Sequence, residues 1–219
     1  MRLRSVAIVT PPTVEPVSLS EAKAQVRLMP DQNDDDALLL GLISTARRLI
    51  ERRLGTTLAL TKYRARFDNE DPPVDWRLAA SFNPSMSVMS AQYRVAIGIQ
   101  QPYVVLPNSP ALVDSSHPLT IAIDGVTMDP TNYEVDTDSV PAYVRFDSLP
   151  SVPAKGVLEV TYWAGPAVGA SIAPQLKSAI LLYVGHLYVN REAVTSESAG
   201  ELPMAFETLL ASESISGSW

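Results

Sequence analysis

The chain has no cysteine and two histidines among its 219 residues. Disulfides, thiolate metal sites and cysteine nucleophiles are thereby excluded, a histidine-rich metal centre cannot be built, and a reducing compartment fits. Aromatic residues make up 7%. No run approaches the roughly 20 apolar residues of a membrane-spanning helix, so no membrane partner is expected. The apolar stretch at residues 6–9, after Arg2 and Arg4, is shorter than a signal-peptide core of about 7–15 residues. Pro11 and Pro12 follow it, and residues 1–12 read as an extended arm. No P-loop, dinucleotide fingerprint, Gly-x-Ser-x-Gly or His-Glu-x-x-His occurs, so catalytic, cofactor and metal residues are all expected to be none and the chain is not read as an enzyme.

What is present is a hydrophobic content of 46% with 19% charged residues, enough to bury a core in one domain or two small ones. The net charge of −7 is unevenly spread. Residues 1–95 hold 13 Lys and Arg against 11 Asp and Glu; residues 96–219 hold 4 against 13. An acidic half argues against adsorption to nucleic acid, which requires neutralisation of phosphates.

The helical signals flank a β-rich middle. Ser18 and Glu21 form a capping box for a short helix over 19–28, with Leu19, Ala22 and Val26 inward and Pro30 ending it. Asp34, Asp35 and Asp36 sit where the positive end of a second helix favours carboxylates. Leu39, Leu42, Ile43, Ala46, Leu49 and Ile50 recur at helical spacing, and Gly55 suits a left-handed stop. Residues 174–191 make a third helix with Pro174 at its first position. Its stripes are Leu176, Ile180, Tyr183 and Leu187, and beside them Leu181, Val184 and Tyr188. That much apolar surface predicts burial on most of its circumference. Gly185 in mid-helix predicts close approach of another backbone. A fourth short helix is expected over 203–211, with Phe206, Leu209 and Leu210 on one side.

Between these helices, short alternating runs predict strands at 58–67, 93–99, 102–106, 119–123, 126–128, 132–136, 142–147 and 156–163. Asp124-Gly125 supplies a tight hairpin turn. Residues 68–92 read as a long excursion with little regular structure. The expected fold class is therefore α+β: a bundle of about four helices with an inserted antiparallel β domain between the second and third main helices. Its helical core covers 1–57 and 164–219, with an N-terminal arm and C-terminal tail, and the β domain covers 58–163.

Four arginines, Arg47, Arg48, Arg52 and Arg53, crowd the end of the second helix. The dipole prefers basic residues there, and a solvated or subunit-contact role is favoured over phosphate binding. His186, between Tyr183 and Tyr188, reads as a core or interface histidine. His117 has no evident partner. The acidic group Asp68, Glu70, Asp71 and Asp75 lacks EF-hand spacing and reads as a solvated turn. Trp219 ends a Ser/Gly-rich tail and is either frayed or an anchor for a partner's pocket.

The segments PVSLSEAKAQVRL (16–28), DDDALLLGLISTARRLIERRLGTTL (34–58) and PQLKSAILLYVGHLYVNREAV (174–194), in this order, resemble the head-tail connector, or adaptor, proteins of long-tailed bacteriophages. The stretch from YEVDTDSVPAYVRF to VTYWAG resembles the β insertion of larger variants found in prophages and gene transfer agents. The resemblance covers most of 14–66 and 119–210. It implies a virion structural protein forming a ring, usually of twelve subunits, between the portal and a stopper or tail-terminator protein. DNA would pass through without sequence-specific binding, during packaging and ejection. The location implied is the head-tail interface of the virion, with the host cytoplasm during assembly. The C-terminal segment, with Phe206, Leu209, Leu210, Ile215 and Trp219, would grip the portal; Arg47, Arg48, Arg52, Arg53 and His186 would lie between subunits. The chain departs from the pattern by added length around 68–100 and by Ala173, a poor helix cap. A competing reading is a virion accessory that binds carbohydrate or a receptor through Trp76, Tyr93, Tyr103 and the long loop.

Overall fold

The computed structural model describes residues 1–68, 102–148, 150–153, 155–168, 172–190, 206, 208 and 209. They form two compact units. One comprises Met1–Pro11 and Thr61–Gly165, the other Pro12–Leu60 and the described residues from Pro166 onward. Among the described residues the architecture is α+β, with three α-helices of seven residues or more and antiparallel sheets.

The β unit is built around two eight-residue strands, β2 (Thr61–Asp68) and β9 (Val157–Ala164), paired antiparallel from Thr61↔Ala164 to Asp68↔Val157. Strict alternation in β9 sends Leu158, Val160, Tyr162 and Ala164 inward and Val157, Glu159, Thr161 and Trp163 outward. The remaining strands are β1 (Arg2–Thr10), β3 (Tyr103–Val105), β4 (Ala111–Leu112), β5 (Thr120–Ile123), β6 (Val126–Thr127), β7 (Tyr133–Asp136) and β8 (Tyr143–Phe146). The larger sheet runs β1-β2-β9-β5-β6, with β4 also pairing β9; the smaller runs β3-β8-β7. Their inner residues share one core: Phe67 from β2, Ile121 from β5, Val144 and Phe146 from β8, and Tyr162 from β9. Each large side chain buried there contributes about 1.5–3 kcal/mol. The Tyr162 hydroxyl donates to the Pro107 carbonyl, and burial pushes its pKa up. Asp124 and Gly125 both take positive φ, 49° and 84°, which gives the β5–β6 hairpin its turn.

In the helical unit, the Ser18 hydroxyl accepts from the Glu21 amide while the Glu21 carboxylate accepts from the Ser18 amide, starting α1 (Leu19–Gln25). α2 (Asp36–Leu54) ends at Gly55 with φ 65°, and α3 spans Pro174–Val189. Leu39, Ile43, Ala46 and Ile50 of α2 share a core with Leu176, Ala179, Ile180 and Val184 of α3, joined by Phe206.

Several expectations are corrected. The N-terminal arm is a strand: residues 2–10 pair with β2 and belong to the β unit, because the far side of β2 offered an open ladder. α1 stops before Pro30, with Arg27 at φ 60°. The three aspartates do not cap α2 through their side chains. Asp36 instead pairs with Lys23 at 2.7 Å, and Asp35 accepts from the Tyr188 hydroxyl at 2.5 Å. α3 has one fully buried stripe, with Tyr183, Leu187 and Tyr188 half-buried. A Cβ on Gly185 would meet the Gln25 side chain at 3.6 Å, an ordinary contact, so no backbone crowds that glycine. Phe206, Thr208 and Leu209 are described where a fourth helix was expected, and all three are helical. The strand expected at 93–99 and the excursion over 69–92 lie outside the described residues.

Two outcomes follow. Tyr162→Phe leaves the Pro107 carbonyl without that donor, and urea denaturation is expected to show a loss of about 1–3 kcal/mol. Glu21 bonds Lys177 at 2.5 Å, and this contact, with the Ser18 amide, holds its carboxyl at about 2. Because its folded pKa is depressed, the stabilisation is present above the ordinary carboxylate range and is lost as pH falls from about 4.5 towards 2. Both side chains are more than a third exposed, so Glu21→Gln should flatten the acid limb of the stability profile by about 1 kcal/mol.

Candidate assembly surfaces

The arginines at the end of α2 are separated by the helix itself. At about 100° per residue, Arg47 falls on the stripe of Ile43 and Ile50 and points inward. It is 3% exposed. Its Nε and Nη2 donate to the Glu15 carboxylate at 2.7 and 3.3 Å, and its Nη1 to Glu51 Oε2 at 2.7 Å. Burial opposes the guanidinium charge, yet Glu15 and Glu51 raise its pKa overall. Burial also holds the Glu51 carboxyl up, against the Leu58 amide that donates to it at 2.8 Å and the charge of Arg47. Arg47 therefore ties α2 to the segment before α1, and a role at the subunit surface is corrected to an internal one. Arg48 and Arg52, one turn apart, are exposed. The Arg53 guanidinium lies 5.8 Å from the Phe206 ring centroid.

Of the expected portal contacts, Phe206 is fully buried, its ring 5.4 Å from that of Tyr183. It is a core residue as described. Leu209 is half-buried at the margin of the same core. Leu210, Ile215 and Trp219 lie outside the described residues. His186 is half-buried and stacks on Tyr183 at 6.3 Å, with the Asn190 amide nitrogen 3.4 Å from its Nδ1.

His117 does have partners: its Nδ1 lies 2.9 Å from Asp114 Oδ1, and its ring meets Trp163 edge-on at 5.2 Å. The bond to His117 holds the Asp114 carboxyl below its ordinary value. A carboxylate orients a histidine in the same way in hydrolases. Among the described residues no hydroxyl is bonded to its other ring nitrogen. Also among the described residues, no group of three or more His, Asp or Glu could hold a metal ion. Of the acidic turn at 68–75, Asp68 is described and sits at the end of β2. Beside the smaller sheet, Glu134, Asp136, Asp138, Tyr143 and Arg145 line a shallow hollow of about 210 Å³.

The surface that sequence reading missed is β1. Leu3, Val6, Ile8 and Val9 are between 38% and 51% exposed. The β-branched run Val6-Ala7-Ile8-Val9 was the available signal.

Residues 16–84 match the family described as phage gp6-like head-tail connector protein. The matched segment is similar to that family. The connector segment contains α1, α2 and β2. No curated protein matches the chain significantly. Among solved structures, a chain in the neck of an empty gene transfer agent particle, computed with C6 symmetry, shares the fold with a TM-score of 0.67 and 19% identity, over 95% of this chain and 94% of that one. A chain in the virion of a native gene transfer agent particle matches with a TM-score of 0.65 and 18% identity over 95% and 94%. One in the neck of a native particle, computed with C12 symmetry, matches with 0.60 and 17% over 97% and 94%.

Removing one partner of a buried ion pair is costly because the other charge stays buried. Arg47→Ala is expected to destabilise the chain by about 3–5 kcal/mol in chemical denaturation, while Arg48→Ala changes stability by less than about 0.5 kcal/mol.

Proposed function

We propose that this chain is the subunit of an adaptor ring in a virion neck, placed between the portal and a stopper or tail-terminator protein. The reading rests on the connector segment at 16–84, and the fold shared over 95% of the chain with a protein of a gene transfer agent neck supports it. The necks computed with C6 and C12 symmetry are consistent with a ring of twelve. The role is structural: the ring is a conduit for DNA during packaging and ejection, without catalysis or cofactor. Assembly takes place in the host cytoplasm.

A net charge of −7 on each subunit suits a conduit. Phosphates are repelled by such a ring, and DNA slides without being held. Arg48 and Arg52 stand on the open face of α2 and are assigned to the contact between neighbouring subunits, with half-buried His186 beside the same core. The portal is gripped by the chain beyond Leu209, with Leu210, Ile215 and Trp219 as its apolar anchors.

The accessory-binding reading has less support. Tyr103 meets Tyr143 edge-on at 5.9 Å, but the adjoining hollow of about 210 Å³ is smaller than the roughly 300–1,000 Å³ of ligand pockets. Trp76 and Tyr93 lie outside the described residues.

Co-purification of the full chain with its portal tests the reading. The full chain is expected to bind, and both Trp219→Ala and truncation after residue 211 are expected to lower binding at least tenfold. Full binding by the truncated chain would overturn the C-terminal grip, and failure of the full chain to bind would overturn the adaptor reading.

A further inference from the structure

The two edges of the larger sheet differ in charge and in exposure. β1 and β6 end the strand order β1-β2-β9-β5-β6, about 19 Å apart at the usual spacing of paired strands. The edge strand β1 carries Arg2 and Arg4, and its neighbour β2 adds Lys62, Arg64 and Arg66, the last paired with Glu159, against Asp68. Residues 120–138, which form β5, β6 and β7, carry five acidic residues and no Lys or Arg. The acidic residues of this segment are Asp124 in the β5–β6 turn, Asp129 before the 3-10 turn Pro130–Asn132, Glu134 and Asp136 on β7, where Arg145 lies 3.6 Å from Glu134, and Asp138. The Tyr133 hydroxyl donates to the Leu119 carbonyl at 3.4 Å and so holds the start of β7 near β5.

β1 is an unusual edge. In its register with β2, Leu3, Val6 and Ile8 stand opposite Phe67, Ala65 and Tyr63, which are buried. The apolar face of the sheet thus continues onto β1, where Leu3, Val6 and Ile8 remain 38–51% exposed. Its outer ladder is also unpaired among the described residues. Natural proteins blunt such edges or use them, because an open row of amides and carbonyls invites a partner. At the opposite edge, Val126 is 73% exposed beside the Asp124-Gly125 turn.

From this complementarity we infer that the β unit makes a head-to-tail contact between copies of the chain: the basic, apolar β1 edge of one copy receives the acidic β5–β7 edge of the next. Two different surfaces of one β unit, β1 at the edge of the larger sheet and the 120–138 segment that runs from β5 and β6 into β7 of the smaller sheet, give a heterologous contact, the kind that generates a closed ring when the rotation between copies closes. Two identical β1 edges would instead bring Arg2 and Arg4 against their own kind. The inference rests on the ring reading above and specifies which surfaces close the ring.

The absence of cysteine makes the contact directly testable by cross-linking. Full chains carrying Val6→Cys and Val126→Cys together, assembled with portal and oxidised, are expected to give a ladder of covalent oligomers up to the full ring. Either single variant should give no ladder. As a second measurement, Arg2→Glu with Arg4→Glu should reduce the assembled fraction several-fold, and adding Glu134→Lys with Asp138→Lys should restore it. The loss should resemble that produced in the unmodified chain by raising salt. Rings seen by electron microscopy without a ladder, or no rescue by the reversed pair, would overturn this contact and leave the adaptor standing. Absence of any ring from the unmodified chain on its portal would overturn both.

Discussion

The pairing of β2 with β9 is the constraint on which the rest of the β unit depends. It joins residues 61–68 to 157–164 in unbroken register and leaves Thr61 beside Ala164. Thr10 of β1 pairs with Lys62, so the chain crosses into and out of the β unit at one end of the sheet. A slip of one residue would turn Leu158, Val160 and Tyr162 to solvent and bring Glu159 and Thr161 into the core. The register is therefore fixed by burial on one face. On the other, Arg66 bonds Glu159 at 2.5 Å and the Lys62 ammonium lies 5.6 Å from the Trp163 ring.

What could be read from the sequence was what local chemistry specifies. The Ser18–Glu21 box, the left-handed Gly55, the Asp124-Gly125 turn and the alternation of β9 each need a few neighbouring residues, and each has its expected structure. What escaped reading depended on distant partners. β1 is a strand because β2 lies beside it, and Arg47 is internal because Glu15, 32 residues earlier, meets it. The burial of Arg47 did leave a trace, since it stands four residues after Ile43 and three before Ile50. Reading the four arginines as one cluster by proximity in sequence hid that trace. The aspartates at 34–36 do stand at the start of α2, where the dipole favours them, but their partners Lys23 and Tyr188, which bind Asp36 and Asp35, could not be read from neighbouring residues.

The proposed connector function would leave little chemical signature, because it needs surfaces and not reactive groups. Order along the chain was informative: the helices and the β region resembled the family where no single residue did. The surfaces themselves were harder to see. The resemblance implied a portal contact at Phe206, yet it fills the core, with the Arg53 guanidinium 5.8 Å from its ring centroid. Residues 1–12 read as an extended arm, and residues 2–10 are extended as a strand that continues an apolar sheet face to the surface of the unit.

The central claim is that the chain forms a ring at the virion neck. Cryo-electron microscopy of the particle containing it, reconstructed at the portal vertex, tests this most directly. The account predicts a closed ring of this fold between the portal and the next tail component, with an open central channel. Density for this chain at a tail fibre or on the capsid surface, with the portal vertex bare of it, would contradict the account.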